Sequence, residues 1–324
     1  RGLDGLIERY SAPVVREAVD EMMTRSEAQM RSLIEAIPDG TYGFEDFFDN
    51  DGVVDSPLRV RLAVTVEGSD MRFDFQGTSP AATGPLNMAD TTTKSLAFVA
   101  LKHLFPEVPV NGGTFRPCEF LIPRGCMLAA QYPSPVCGYT DVINRVIDVV
   151  FGALAQAVPE LTPAAPFGTT GVTTVSGVRE DGSYYVGVYP YPGGYGGSAR
   201  SDGLVNGTLP SSLAGFMSVE QSELRYPIRF RQLAIRENSG GAGHHTGGCG
   251  TQYEIEALSE CSISVLGDRV DHAPFGIGGG QSASPNHVHF MLGGQRWVPP
   301  MRSKAENVRL EPGDSVFCQS PGGG

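Results

Sequence analysis

Positive charge is scarce in this chain. Its 24 lysine and arginine residues stand against 36 aspartate and glutamate residues, a formal charge of −12. A protein that grips a nucleic-acid backbone needs clustered positive charge, so the balance argues against that class of partner. No stretch reaches the roughly 18 consecutive apolar residues of a membrane-spanning helix. The opening run, Arg1 to Tyr10, shows no basic patch followed by an apolar core, so it does not read as a secretory leader. The six cysteines, Cys118, Cys126, Cys137, Cys249, Cys261 and Cys318, form no C-x-x-C pair. Their wide spacing reads as free thiols in a reducing, cytoplasmic setting rather than as a disulfide scaffold. Neither G-x-G-x-x-G nor G-x-x-x-x-G-K-[ST] occurs, so nucleotide sites of those types have no support, and no G-x-S-x-G elbow marks a nucleophilic serine.

What the chain has is glycine (42 residues), proline (24) and a 40% hydrophobic content spread over 324 residues. That apolar fraction is enough for one large domain or two moderate ones, with many turns between short elements. Val15, Val19, Met22, Met30, Leu33 and Ile37 recur at helical spacings and form a stripe of the kind that docks on a core; Pro38-Asp39-Gly40 ends the run. The period then falls to two. Leu58, Val60, Leu62, Val64 and Val66, followed by Met71, Phe73 and Phe75, predict a β-hairpin turning at residues 67–70. Helices are predicted near Thr91–Phe105, capped by Asp90 and stopped at Pro106, and over Asp141–Val158, with Ile143, Val146, Ile147, Val150, Leu154 and Val158 inward. Beyond residue 160 short strands dominate: a hairpin of 172–178 and 184–189 around Glu180-Asp181-Gly182, then 228–236, 253–258, 262–266 and 287–292. The expected fold is α+β, with mixed helices and antiparallel sheets. It divides softly into an α+β half (1–160) and a glycine-rich, β-dominated half (161–324) that shares a core with the first.

Two glycine-dense segments are the strongest local features, residues 191–203 and 239–250. Glycine lacks Cβ, so backbone N–H groups there can approach an anion, or two segments can cross closely; composition does not choose between these. Arg200 and Asp202 could serve a ligand as anion contact and acceptor, or pair with each other in solvent. His244, His245 and Cys249 suggest a metal, yet a convincing site needs three or four ligands in defined geometry. His287 and His289 share one face of a strand, where packing is the commoner role. Cys137 lies ahead of a helix N-terminus, though not clearly within reach of its first turn. Asn87, Asn111 and Arg116 carry groups suited to a carboxylate or cyclic amide, and equally suited to tying loops together.

An ordered set of segments takes the reading further. Residues 34–42 (IEAIPDGTY), 73–80 (FDFQGTSP) with 84–87 (GPLN), 111–117 (NGGTFRP) and 149–156 (VVFGALAQ) are followed by 193–197 (GGYGG) with Asp202-Gly203. Then come 223–227 (ELRYP), 236–243 (RENSGGAG), 267–269 (GDR), and 312–314 (PGD) with 321–324 (PGGG). Together they resemble the hydantoinase B/oxoprolinase family, which includes N-methylhydantoinase subunits, 5-oxoprolinase and the alpha-type subunit of acetone carboxylase. The resemblance implies the C-terminal portion of a longer subunit. It also implies a divalent metal whose ligands lie mainly in the N-terminal part, outside this sequence, and ATP held by a hydantoinase A-type partner. His244 and His245 stand where the family shows a basic or aromatic pair, so they inherit no catalytic role.

The activity so implied is ATP-dependent ring opening of a cyclic amide of the hydantoin, N-methylhydantoin or 5-oxoproline type. The alternatives are a subunit of an ATP-dependent ketone carboxylase and a non-catalytic scaffold subunit. Within the hydrolase reading, Asp202 or Glu223 orients water, and Arg200 balances charge as a third catalytic group. Asn87, Asn111, Arg116, Gly194, Gly197 and Arg225 bind substrate, the glycine loop supplying N–H groups to an oxyanion or phosphate.

Overall fold

The computed structural model describes residues 2–179, 181–212 and 214–324, so Arg1, Glu180 of the expected hairpin turn, and Leu213 lie outside the described residues. The chain folds as α+β. Its N-terminal half opens with helices α1 (Gly2–Tyr10) and α2 (Ala12–Ile34), followed by β1 (Gly40–Phe48), β2 (Leu58–Glu67) and β3 (Asp70–Asp74). Helix α3 (Asp90–Leu104), β4 (Cys118–Leu121) and α4 (Tyr139–Leu154) complete it. The strands form a sheet in the order β1-β2-β3-β4, antiparallel except for the parallel β3–β4 pair. The period-two residues Val60, Leu62, Val64 and Val66 are buried with Met71, Phe73, Leu101, Ile147 and Val150, so the hairpin's apolar face meets α3 and α4.

Three local expectations change. The N-terminal stripe docks only through its last turns: Ser26, Met30 and Ile34 are buried, whereas α1 buries no residue and Val19 and Met22 face solvent. Asp90 does not cap α3. Ala89 holds the cap position, and Asp90 sits within the first turn with its carboxylate 3.3 Å from Lys94. Helix α4 ends at Leu154, although Val158 beyond it remains buried.

The C-terminal half contains β5 (Val172–Val178), β6 (Tyr184–Pro190), the short helix α5 (Val219–Arg225), β7 (Ile228–Arg236), β8 (Gly250–Ala257) and β9 (Cys261–Leu266). Strands β10 (His287–Leu292), β11 (Gln295–Trp297), β12 (Lys304–Leu310) and β13 (Ser315–Gln319) follow. They make two antiparallel sheets, β11-β10-β13-β8-β7 and β12-β9-β5-β6. Val175, Tyr189 and Ile263 from one sheet pack with Tyr253, Ile255, Phe290 and Val316 from the other, a two-sheet sandwich with its own apolar cluster.

The halves meet through polar side chains. Helix α4 is buried all round, and the face turned from its sheet carries Asp141, Asn144, Arg145 and Asp148. The Arg145 guanidinium lies 3.0 Å from both Asp46 on β1 and Asp268 beyond β9. Arg269 pairs with Asp46 at 2.9 Å and with Asp148, while Lys304 reaches Asp268 at 2.6 Å. Three cations thus face three carboxylates, all almost or fully excluded from water. Burial works against the Arg145 charge, but Asp46, Asp268 and Asp148 more than offset it and hold the group above the usual arginine range. Gly168, at φ +63°, lies where a Cβ would come within 2.6 Å of Arg269 Nε, so only glycine lets the chain pass the network.

Candidate functional site

The glycine segments that are separate in sequence converge in space. Gly194 N–H donates to Pro321 O at 3.2 Å, Gly197 N–H to Gly324 O at 2.8 Å, Gly203 N–H to Thr246 O at 2.8 Å, and Gly248 N–H to Tyr195 O at 2.9 Å. A Cβ on Gly194, Gly203, Gly247, Gly248 or Gly323 would overlap a backbone atom of a neighbouring segment. The glycines therefore let extended backbones lie against one another more closely than side chains permit. Of the two uses glycine allowed, close crossing is the one realised at Gly194 and Gly197. Both amides are occupied by backbone carbonyls, and neither is free to hold an oxyanion.

Beside this bundle opens a cleft of about 430 Å³, floored by Gly197, Gly241 and Gly324 and walled by residues 242–245 and 276–280. His245 lines it, and Asp202, from the other glycine segment, approaches His245 without itself lining the cleft. Thr246 N–H donates to Asp202 Oδ1 at 2.8 Å and fixes that carboxylate, whose Oδ1 is 3.5 Å from His245 Nδ1. The imidazole is thus oriented by charge at slightly more than hydrogen-bond length. Arg200 lies two residues from Asp202 on an exposed turn braced by Ser198 Oγ, and among the described residues its guanidinium makes no ion pair with Asp202.

The other sequence-derived candidates are distributed elsewhere. Glu223 and Arg225 belong to α5, where Glu223 accepts the Phe230 N–H at 2.7 Å and Arg225 O accepts from Arg179. Asn87 is fully buried: its Nδ2 donates to the carbonyls of Ala82, Gly84 and Pro135, and its Oδ1 accepts from Ala82 N–H at 2.7 Å. That amide ties loops together. Asn111 bonds Ser26 Oγ at 2.7 Å and Arg116 pairs with Glu27 at 3.0 Å, which fastens their loop to α2. The candidate set is therefore not one constellation; Arg200, Asp202, Gly194 and Gly197 come together, and the remaining five do not. His245 escapes the sequence reading because its position departs from the family pattern. The Arg145 network escapes it because Asp141, Arg145 and Asp148 mimic a solvated helix face, although their alignment on one stripe is a signal.

No group of three or more His, Cys, Asp or Glu side chains among the described residues is placed to hold a metal ion. His287 Nε2 accepts from the Arg296 guanidinium at 2.8 Å, which occupies that nitrogen and sets a positive charge beside the His287–His289 pair, so the pair is poorly suited to a cation. All six cysteines are free thiols, and no described helix is long and apolar enough to cross a membrane.

Comparison with known proteins places this geometry in context. The chain is 31% identical over 332 residues to a Pseudomonas sp. (strain NS671) protein described as the B component of a D-/L-hydantoinase, covering 98% of this chain and 56% of that relative. The chain thus spans just over half of that relative's length. Its fold is that of the ATP-dependent caprolactamase from Pseudomonas jessenii, with a TM-score of 0.88 at 24% identity over 99% of this chain and 57% of that one. Nucleotide-free acetone carboxylase shares it too, with a TM-score of 0.84 at 17% identity over 99% of this chain and 50% of that one. The profile of the Hydantoinase B/oxoprolinase family matches residues 1–324 throughout, and the chain belongs to that family.

Proposed function

We propose that this chain is a subunit of an ATP-dependent cyclic amide hydrolase that opens a ring of the hydantoin, N-methylhydantoin or 5-oxoproline type beside a hydantoinase A-type ATP-binding partner. The observation that carries the reading is the unbroken family match over all 324 residues, sharpened by the 31% identical relative described as a hydantoinase component. The chemistry explains the need for ATP. An amide carbon is a poor electrophile and its nitrogen a poor leaving group, and phosphorylation of the amide oxygen by the partner relieves the first difficulty before water attacks. The free thiols fit a reducing, cytoplasmic compartment.

In this reading the reacting ring occupies the cleft of about 430 Å³, which lies in the size range of small-molecule sites. Asp202, 3.5 Å from His245 Nδ1, orients the imidazole, and His245 Nε2 takes a proton from the attacking water. Arg200, on the same turn as Asp202, supplies positive charge toward the phosphorylated oxygen. The described residues form no ligand set for a divalent metal, and the family resemblance places its ligands mainly outside this sequence.

The test is turnover of hydantoin, N-methylhydantoin and 5-oxoproline by the complex with its partner, with and without ATP. His245→Asn and Asp202→Asn should each lower kcat by roughly 10²-fold or more without dissociating the complex, the scale of a lost general base. Unchanged turnover in both variants would remove the cleft from the mechanism. Carboxylation of acetone with bicarbonate would replace the hydrolase reading with the carboxylase one, and an intact complex without either activity would leave the scaffold.

A further inference from the structure

Residues 2–22 pose a problem of helix stability. Residues 2–10 and the opening turns of α2 extend beyond the body, and the helix becomes anchored only near Met23. There Gly113 packs beneath the Met23 carbonyl, Asn111 bonds Ser26, and Arg116 pairs with Glu27. A helix takes most of its stability from packing an amphipathic face rather than from propensity. Here the face exists without a cover. On α1, Leu3, Leu6, Ile7 and Tyr10 lie three or four residues apart on one face; Ser11, at φ +72°, then separates the two helices, and Val14 and Met22 on α2 are exposed too, the range running from 37% at Ile7 to 58% at Leu3 and Met22. An exposed apolar face such as that of α1 marks an interaction surface.

We infer that this stripe is the docking face for the part of the family's B-type subunit that this chain does not span, through an apolar groove flanked by lysine or arginine. Two observations select that occupant. The matched relative and the caprolactamase chain are covered only to 56% and 57%, so each carries a comparable length of polypeptide beyond the matched region. A second copy of this helix is disfavoured by charge, because Asp4, Glu8, Glu17, Asp20 and Glu21 outnumber Arg9 and Arg16 along residues 2–22, and the chain as a whole carries −12. An acidic border calls for a basic one. The inference rests on the family assignment and not on the amide chemistry or the cleft.

The experiment compares the subunit as its source organism makes it with the isolated 324-residue chain, by hydrogen exchange over residues 2–22 and by zero-length carboxylate–amine cross-linking. In the native subunit these amides should exchange at least about tenfold more slowly than in the isolated chain. Glu8 or Asp20 should cross-link to lysines of that same subunit outside residues 1–324. Leu6→Glu should abolish the protection while leaving exchange in β2 and β8 unchanged. Equally fast exchange in both samples would overturn the proposal. So would cross-links confined to copies of residues 1–324, or cross-links running only to a different protein.

Discussion

Asp141 offers a direct test of the electrostatics at the junction of the two halves. Its side chain is fully buried at the start of α4; Oδ1 accepts from Thr169 Oγ1 at 2.7 Å and Thr170 N–H at 3.0 Å, while Oδ2 has no partner. On the same helix face, three residues on, Asn144 Oδ1 is another buried acceptor without a donor. Burial raises the Asp141 pKa from 3.8 to about 6, against the hydrogen bond from Thr169 and with help from the Asp268 charge. The folded pKa lies above the unfolded one, so the native state binds the extra proton between those values. Stability is therefore greatest at the acid end of that window and declines as pH rises through about 6. A difference of about 2 units corresponds to about 3 kcal/mol at alkaline pH.

Asp141→Asn keeps the acceptor at Oδ1, removes the buried charge and places two N–H donors where Oδ2 is unpartnered. The variant should gain about 3 kcal/mol at about pH 8 and only about 1 kcal/mol at about pH 4.5. Unfolding entropy of roughly 2 cal/mol/K per residue makes that gain a rise in Tm of about 4 °C for a chain of this length. Calorimetric melting of both proteins at the two pH values reads it out. A loss of stability at the alkaline pH, or an equal gain at both, would refute the assignment of a destabilising buried carboxylate.

Arg145→Met should destabilise by about 3–5 kcal/mol in urea titration, because Asp46, Asp148 and Asp268 would keep their burial and lose a shared cation. Arg145→Lys should recover only part of it, since one ammonium cannot fork between Asp46 and Asp268. Gly247→Ala should cost about 3 kcal/mol or fail to fold because its Cβ would overlap the Gly323 carbonyl, whereas Gly5→Ala, with open space around it in α1, should gain about 1 kcal/mol of helix propensity in thermal melts. Asn87→Ala should lower stability by at least about 2 kcal/mol by the same titration, having removed the partner of four backbone groups, three of them in buried hydrogen bonds.

Much of the architecture is legible without any contact being known, because local periodicity reports which face of a segment is apolar. The alternation from Leu58 to Phe75 specifies β2, β3 and the turn between them, and the spacing of Val146, Ile147 and Val150 specifies α4. Strands β7 and β10 coincide with the runs read from 228–236 and 287–292. Periodicity does not report which distant segment provides the cover. The addition of β1 and the parallel β4 to the first sheet depends on pairings that no local pattern announces. Likewise, Asp141, Arg145 and Asp148 look like a water-facing stripe until Asp46 and Asp268, about 100 residues to either side, arrive to bury them. The glycines show the division most plainly. Their absence of side chains announces close approach, yet only the tertiary fold decides that the partners are the backbones of distant segments, and that Asp202 reaches His245 at the edge of the bundle. Chain composition can permit a contact; the long-range topology supplies the second group and the geometry.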